Sequence, residues 1–138
     1  MISMKIILIF FATGVVTSPN YPGNYPNNIR KTETLQVEDG LVLSLQFTAF
    51  HIESDTFQCG VSCACDHLTI TDGDGTTLME KSCGSILPAN ITSTSNIINL
   101  LFSSTSVKLY LSDRRNDVMT GWSLNWRAVE PGECQPFL

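Results

Sequence analysis

The side chains of this 138-residue chain that could do chemistry are five cysteines, two histidines and a scatter of acids. Cys59, Cys63 and Cys65 stand close together, and His67 follows. Thiolate and imidazole are zinc donors, so the cluster can be read as four metal ligands. In an oxidising compartment the same thiols are disulfide partners instead. Cys83 lies downstream, and Cys134 sits in a Pro-Gly-Glu-Cys tail. An odd total leaves one thiol over. Cys134 is the expected orphan, able to pair with another chain or with a missing segment.

The N-terminus decides between these readings. Lys5 precedes the apolar run Ile6 to Phe11, and the small residues Ala12, Thr13 and Gly14 follow. Charge, apolar core and small residues in that order make a secretory leader, expected over residues 1–13. The competing reading of the run is a buried strand. Export favours disulfides over zinc, and so does the strand that the cysteine cluster runs into. The sequon Asn90-Ile91-Thr92 follows a turn-like Leu87-Pro88-Ala89 and marks an exposed, glycosylated loop. The chain is therefore expected to be secreted and extracellular.

Catalysis needs a nucleophile with its base, paired carboxylates, or a metal with an open position. Neither His51 nor His67 lies in a nucleophile or metalloprotease motif, and His51 is expected at the surface. Asp72-Gly73-Asp74-Gly75 resembles a calcium loop, yet position twelve from Asp72 is Cys83 rather than Glu, so a hairpin turn fits better. Glu53, Asp66 and Asp113 each fall at a strand end. In a sandwich such ends gather at one edge, where three carboxylates repel unless a cation joins them. Calcium, a hard ion that takes oxygen ligands, is the natural choice outside the cell. The plainer reading is three solvated surface acids.

Short strands must position these groups. Leu41, Leu43, Leu45, Phe47 and Ala49 share one face of a period-two run, and Val42, Ser44, Gln46 and Thr48 share the other. Val15 to Thr17, Leu68 to Thr71, Thr76 to Met79, Ile97 to Phe102, Val107 to Leu111 and Trp122 to Arg127 read as further strands. Residues 18–28 hold three prolines and form an ordered turn region, anchored by Tyr21 and Tyr25. With 43% hydrophobic and 15% charged residues, the chain is a folded domain rather than a disordered tail. A net charge of −5 excludes the basic field of a nucleic-acid binder. Beyond the leader, no apolar run approaches the roughly 20 residues that span a bilayer. The pattern predicts one all-β antiparallel sandwich or barrel.

Several of these segments together resemble a CUB domain. Gly14-Val15-Val16-Thr17-Ser18-Pro19-Asn20-Tyr21-Pro22 is similar to the family's opening, and Leu45-Gln46-Phe47-Thr48-Ala49-Phe50-His51-Ile52-Glu53 to a later strand. Cys63-Ala64-Cys65-Asp66-His67-Leu68-Thr69-Ile70, followed by Asp72-Gly73, matches Cys-x-Tyr-Asp-x-Leu-x-Ile-x-Asp-Gly with Cys65 at the tyrosine position. Cys83-Gly84, the Pro88-x-x-Ile91 step, Ser95-Asn96 and Gly121-Trp122 complete the series in order.

The resemblance implies a jelly-roll-like antiparallel sandwich over residues 14–129, with a tail at 130–138. It implies an extracellular, non-catalytic recognition module and a Cys63–Cys83 disulfide. It also implies a calcium site built from Glu53, Asp66 and Asp113, with Asn116 and the Tyr21 region nearby. Loops ordered by calcium in such domains dock a Lys or Arg of a partner, so Tyr21, Glu53, Asp66 and Asp113 are the expected partner-binding residues. The partner is expected to be an extracellular protein, with a glycan as the lesser possibility. CUB modules also accompany extracellular proteases, so the alternative is an accessory fragment of an astacin-like or serine protease.

Three departures qualify the match. The family's first cysteine pair is absent, with Lys31 where one member would stand. The segment between Glu53 and Asp66 carries the extra Cys59 and Cys65, read as a local disulfide with Cys59–Cys83 as the alternative. Finally, Phe102-Ser103-Ser104-Thr105 fits the family's strand ending better than the segment before Asp113 does. That alignment would put Thr105 in place of the second calcium aspartate.

Overall fold

The computed structural model describes residues 12–54, 62–105 and 119–132. Among them the chain forms eight strands: β1 (Thr13–Thr17), β2 (Arg30–Gln36), β3 (Val42–His51), β4 (His67–Asp72), β5 (Thr77–Ser82), β6 (Ile91–Thr92), β7 (Ile97–Ser103) and β8 (Gly121–Val129). They make two four-stranded sheets, ordered β1-β8-β3-β6 and β2-β7-β4-β5. Every strand pair is antiparallel. The all-β sandwich expected from the sequence is the fold observed. β1 begins at Thr13, one residue ahead of the expected domain start, and its ladder reaches back to Ala12, whose carbonyl accepts from the Ala128 amide at 2.8 Å.

The core lies between the sheets. Leu43, Leu45, Phe47, Leu124 and Trp122 enter it from one sheet, and Leu68, Ile70, Ile98, Leu100 and Phe102 from the other. Removing such side chains from water is the main term that holds the layers together. Phe102 is the central aromatic. It meets Tyr25 edge-on, with centroids 4.9 Å apart, and Trp122 in the same manner at 6.0 Å.

β3 follows its predicted alternation only as far as Phe47. The register against β8 shifts between Phe47 and Ala49, so one residue is extra and the inward face changes phase. Phe50 and Ile52 are therefore buried, where Ala49 had been expected to point inward. Phe47 and Phe50 both face the core and pack at right angles, 5.5 Å apart. Glu53 follows Ile52 directly, just past the end of β3.

The Asp72-Gly73-Asp74-Gly75 segment is a hairpin turn. Gly75 N–H donates to Asp72 O at 2.9 Å, and Asp72 N–H to Thr76 O at 2.7 Å. Asp72 itself is buried. Its carboxylate accepts from the Gly73 amide at 2.8 Å, from the Thr94 amide and hydroxyl at 2.7 and 2.9 Å, and from the Ser95 hydroxyl. Burial pushes its pKa up, but the donors from Ser95, Thr94 and Gly73 outweigh it and hold the group at about 2. Asp72 is thus a structural pin between the β4–β5 turn and the loop before β7.

Candidate functional site: an acidic end between the sheets

β3 lies in one sheet and β4 in the other, and both finish or start at the same end of the sandwich. Glu53 follows β3 and Asp66 precedes β4. Both are buried, at 5% and 1% exposure. Tyr25 joins them across the gap. Its hydroxyl donates to Asp66 Oδ2 at 2.7 Å and accepts from the Glu53 amide at 3.1 Å. Burial is the main reason the phenol is held far above its ordinary pKa, and the Asp66 charge adds to it.

Thr105, two residues beyond β7, closes the other side of Asp66. Its amide donates to Asp66 Oδ1 at 2.9 Å, with its hydroxyl at 3.5 Å. The ending Phe102-Ser103-Ser104-Thr105 is therefore the segment that reaches the acid. Ser104 fixes it in place: its amide donates to Ile29 O at 2.9 Å and its hydroxyl to Pro26 O at 2.6 Å. Asp113 and Asn116 lie outside the described residues. Tyr21, expected beside the site, is only half-buried, and Tyr25 takes the inward position.

The disulfide Cys63–Cys83 closes the same end, with S–S 2.10 Å. It excludes Cys59–Cys83. Cys65 is disulfide-bonded as well, while Cys59 and Cys134 lie outside the described residues. With Cys63 and Cys65 both oxidised, the cluster cannot supply the four zinc ligands, and that reading is withdrawn. His67 is buried beside the cluster. Its imidazole is held below the usual histidine pKa, first by burial and then by the nearby charges of Lys81 and Arg30. His51 is exposed, as expected.

Beyond Cys83, Gly84 forms a two-way bridge with Ile52, N–H to O at 2.8 and 2.9 Å. The bridge ties the following loop to the acidic end. That loop carries Ile86, 86% exposed, and Leu87, 53% exposed, and then the exposed sequon residue Asn90. The apolar pair was not singled out in the sequence, although Ser85-Ile86-Leu87-Pro88 after a disulfide is the available signal.

The chemistry of the donors suits a hard cation. Glu53 and Asp66 are carboxylates withdrawn from water, of the kind calcium takes. Among the described residues no group of three His, Cys, Asp or Glu side chains is placed to hold a metal. Two of the three expected acids are present at one end, and the third falls outside the described span. No nucleophile–base pair is formed among the described side-chain hydrogen bonds. No helix of the described residues is long and apolar enough to cross a membrane.

Known proteins place this architecture. A family model for the CUB domain matches residues 8–112. The chain is 30% identical over 119 residues to Cubilin of Rattus norvegicus, a match that covers 86% of the chain and 3% of that protein. It is 31% identical over 117 residues to Blastula protease 10 of Paracentrotus lividus, covering 85% of the chain and 17% of that protein. Among solved structures, the MASP-1 CUB2 domain bound to Ca2+ superposes with a TM-score of 0.66 at 30% identity, covering 83% of this chain and 90% of that one. The chain belongs to the CUB domain family. CUB domains are generally non-catalytic binding modules that occur in extracellular or secreted proteins. The chain spans only a small fraction of the curated relatives.

Proposed function

We propose that the protein is a secreted, non-catalytic binding module that recognises an extracellular protein through a calcium-ordered acidic end. Glu53 and Asp66 hold the ion; Thr105 stands where the family pattern has its second aspartate, and Asp113 and Asn116 of the segment that follows are the further ligands. The supporting observation is the Tyr25 hydroxyl, which links Asp66 of one sheet to the Glu53 backbone of the other. The calcium-bound MASP-1 CUB2 neighbour adds to that support. When bound, calcium neutralises the acids and orders the loops that carry them. Outward oxygens then attract a partner's Lys or Arg, and Ile86 and Leu87 offer apolar contact beside them. Asn90 carries a glycan, and Cys134 pairs with another chain.

Calcium titration followed by thermal unfolding tests this. Ligand at 100 times its dissociation constant adds about 2.7 kcal/mol, which raises the melting temperature by several degrees. Asp66→Ala abolishes the rise. No response to millimolar calcium in the unmodified chain rules the site out. Pull-down from extracellular fluid with and without chelator then tests the partner's dependence on the ion.

The relation to Blastula protease 10 supports a second reading, that of an accessory module of an extracellular protease. A longer transcript that encodes a protease domain in frame with this chain decides for it.

A further inference from the structure

Aspartate followed by glycine is prone to a slow reaction of the chain with itself, because glycine puts no side chain in the way. The sequence holds three such pairs, Asp39-Gly40, Asp72-Gly73 and Asp74-Gly75. In this reaction the glycine amide nitrogen attacks the aspartate Cγ. The amide proton goes to solvent, the protonated carboxyl loses its hydroxyl as water, and a succinimide ring closes. Water then adds to one of the two ring carbonyls. Breaking the bond from nitrogen to Cγ restores aspartate. Breaking the bond from nitrogen to the α-carbonyl leaves the main chain running through the side chain, as isoaspartate. Nothing is oxidised or reduced, and the product has the mass of the starting chain.

The fold treats the three pairs differently. Each carboxylate accepts at least one bond: Asp39 Oδ1 from Asn96 Nδ2 at 3.0 Å, Asp74 Oδ1 from the Thr76 amide at 2.9 Å, and Asp72 from four donors. The attacking amides are what separate them. Gly73 N–H is engaged twice, by Asp72 Oδ1 at 2.8 Å and Ser95 Oγ at 3.2 Å. A Cβ at Gly73 would meet Ser95 Oγ at 2.8 Å and Ile97 Cβ at 3.0 Å, so this residue is walled in. Asp72 is also held ionised, with its pKa at about 2, and an ionised carboxyl has no hydroxyl to lose. Gly75 N–H is engaged by Asp72 O at 2.9 Å inside the hairpin turn. Gly40 N–H makes no hydrogen bond among the described residues. Its turn is closed one residue later, by Leu41 N–H on Glu38 O at 3.1 Å, and a Cβ at Gly40 would meet nothing within 4 Å.

We propose that Asp39-Gly40 is a self-modification site, where the folded chain converts Asp39 to isoaspartate and spares Asp72 and Asp74. The amides of Gly73 and Gly75 must each give up a bond before they can attack. Releasing one costs about 1–1.5 kcal/mol, or about tenfold in rate. The product puts one extra methylene into the main chain between residues 39 and 40 and draws the Asp39 carboxylate off Asn96. Asn96 Nδ2 then keeps only Val37 O, at 2.9 Å. β3 carries the chain for ten residues, roughly 30 Å, between this turn and Glu53, so the change is remote from the acidic end and independent of calcium.

Ageing of the full chain for several weeks in mildly acidic buffer at body temperature tests this. Electron-transfer mass spectrometry of its peptides separates isoaspartate from aspartate at equal mass. A parallel sample is kept unfolded in guanidinium chloride. The expected result is isoaspartate at residue 39 at least about tenfold ahead of residues 72 and 74 in the folded chain, with comparable rates at all three when unfolded. Asp39→Glu, whose longer side chain closes a six-membered ring far more slowly, removes the leading product and leaves the slower two. Equal rates in the folded chain overturn the proposal. So does a first product at residue 72 or 74, a lead at residue 39 that persists unchanged in guanidinium, or no product at residue 39 while the unfolded sample converts.

Discussion

Tyr25 and Asp66 are 41 residues apart in sequence, yet the phenol hydroxyl donates to the carboxylate at 2.7 Å in a buried setting. The same oxygen accepts the Glu53 amide at 3.1 Å, so one atom satisfies groups from both sheets. Tyr25→Phe keeps the ring, and with it the edge-on contact to Phe102. It leaves the Glu53 amide without this acceptor and takes one donor from a buried carboxylate. Leaving such groups unmet costs about 1–3 kcal/mol. Urea unfolding is expected to show a loss in that range. The calcium response proposed above should weaken as well, because the two acids lose the atom that links them.

The disulfide at the same end makes a separate contribution. Cys63 and Cys83 are 20 residues apart, and closing a loop of that size removes chain entropy worth about 3 kcal/mol from the unfolded state. The family's other cysteine pair is absent from this chain, so no such constraint holds the β2 side. The double variant Cys63→Ser/Cys83→Ser is expected to unfold at clearly lower denaturant, with a loss of about 2–4 kcal/mol. A midpoint unchanged from the parent chain would show that the bond adds nothing to stability.

Acid stability should depend on Asp72. Its folded pKa is lowered from 3.8 to about 2, against the upward push of burial, by donors from Ser95, Thr94 and Gly73. A carboxyl whose pKa is depressed by folding stabilises the folded state above its unfolded value. That stabilisation disappears as pH falls through the folded value. The window is therefore between about pH 4 and pH 2, and the amount at stake is on the order of 2 kcal/mol. Stability measured by urea at stepped pH should fall through this window in the parent chain. In Asp72→Asn it should be lower at neutral pH, with a flatter acid limb.

Much of this was legible in the sequence, for identifiable reasons. The strands at 42–51, 67–72, 97–103 and 121–129 carry apolar residues at period two, because one face of each must meet the core. β2 was missed. Its sequence Arg-Lys-Thr-Glu-Thr-Leu-Gln buries a single side chain, Leu35, so the alternation that marks a strand barely registers. The inward turn of Phe50 was hidden by the bulge after Phe47, which depends on pairing with β8 rather than on local composition. Tyr21 and Tyr25 both precede a proline, and nothing local separates them; closure of the two sheets over Phe102 selects Tyr25. Glu53 and Asp66 were expected at one end because strand ends must gather somewhere, and Tyr25 joins them there. The approach of Thr105 to Asp66 was visible only as an alternative alignment, and it became definite once Ser104 was anchored to Ile29 and Pro26.

Gly121 separates steric cost from conformational cost. It opens β8 with φ +87°, a region that side chains avoid, and a Cβ there would meet Ser18 Cβ at 2.8 Å and Tyr25 Cδ2 at 3.3 Å. Ser18 and Trp122 are joined by three bonds at this point: Ser18 N–H to Trp122 O and Trp122 N–H to Ser18 Oγ, both 2.9 Å, and the Ser18 hydroxyl to Trp122 O at 3.4 Å. Gly121→Ala must therefore strain the backbone and displace the serine that fastens β1 to β8. Gly40 has a similar φ of +90°, but a Cβ there meets nothing within 4 Å. Gly40→Ala carries only the conformational penalty, about 1–2 kcal/mol. Gly121→Ala is expected to exceed it by at least about 1–2 kcal/mol, through the lost bonds and the clash. Paired urea titrations of the two variants check this. Equal losses would mean that the Ser18–Trp122 junction yields without cost.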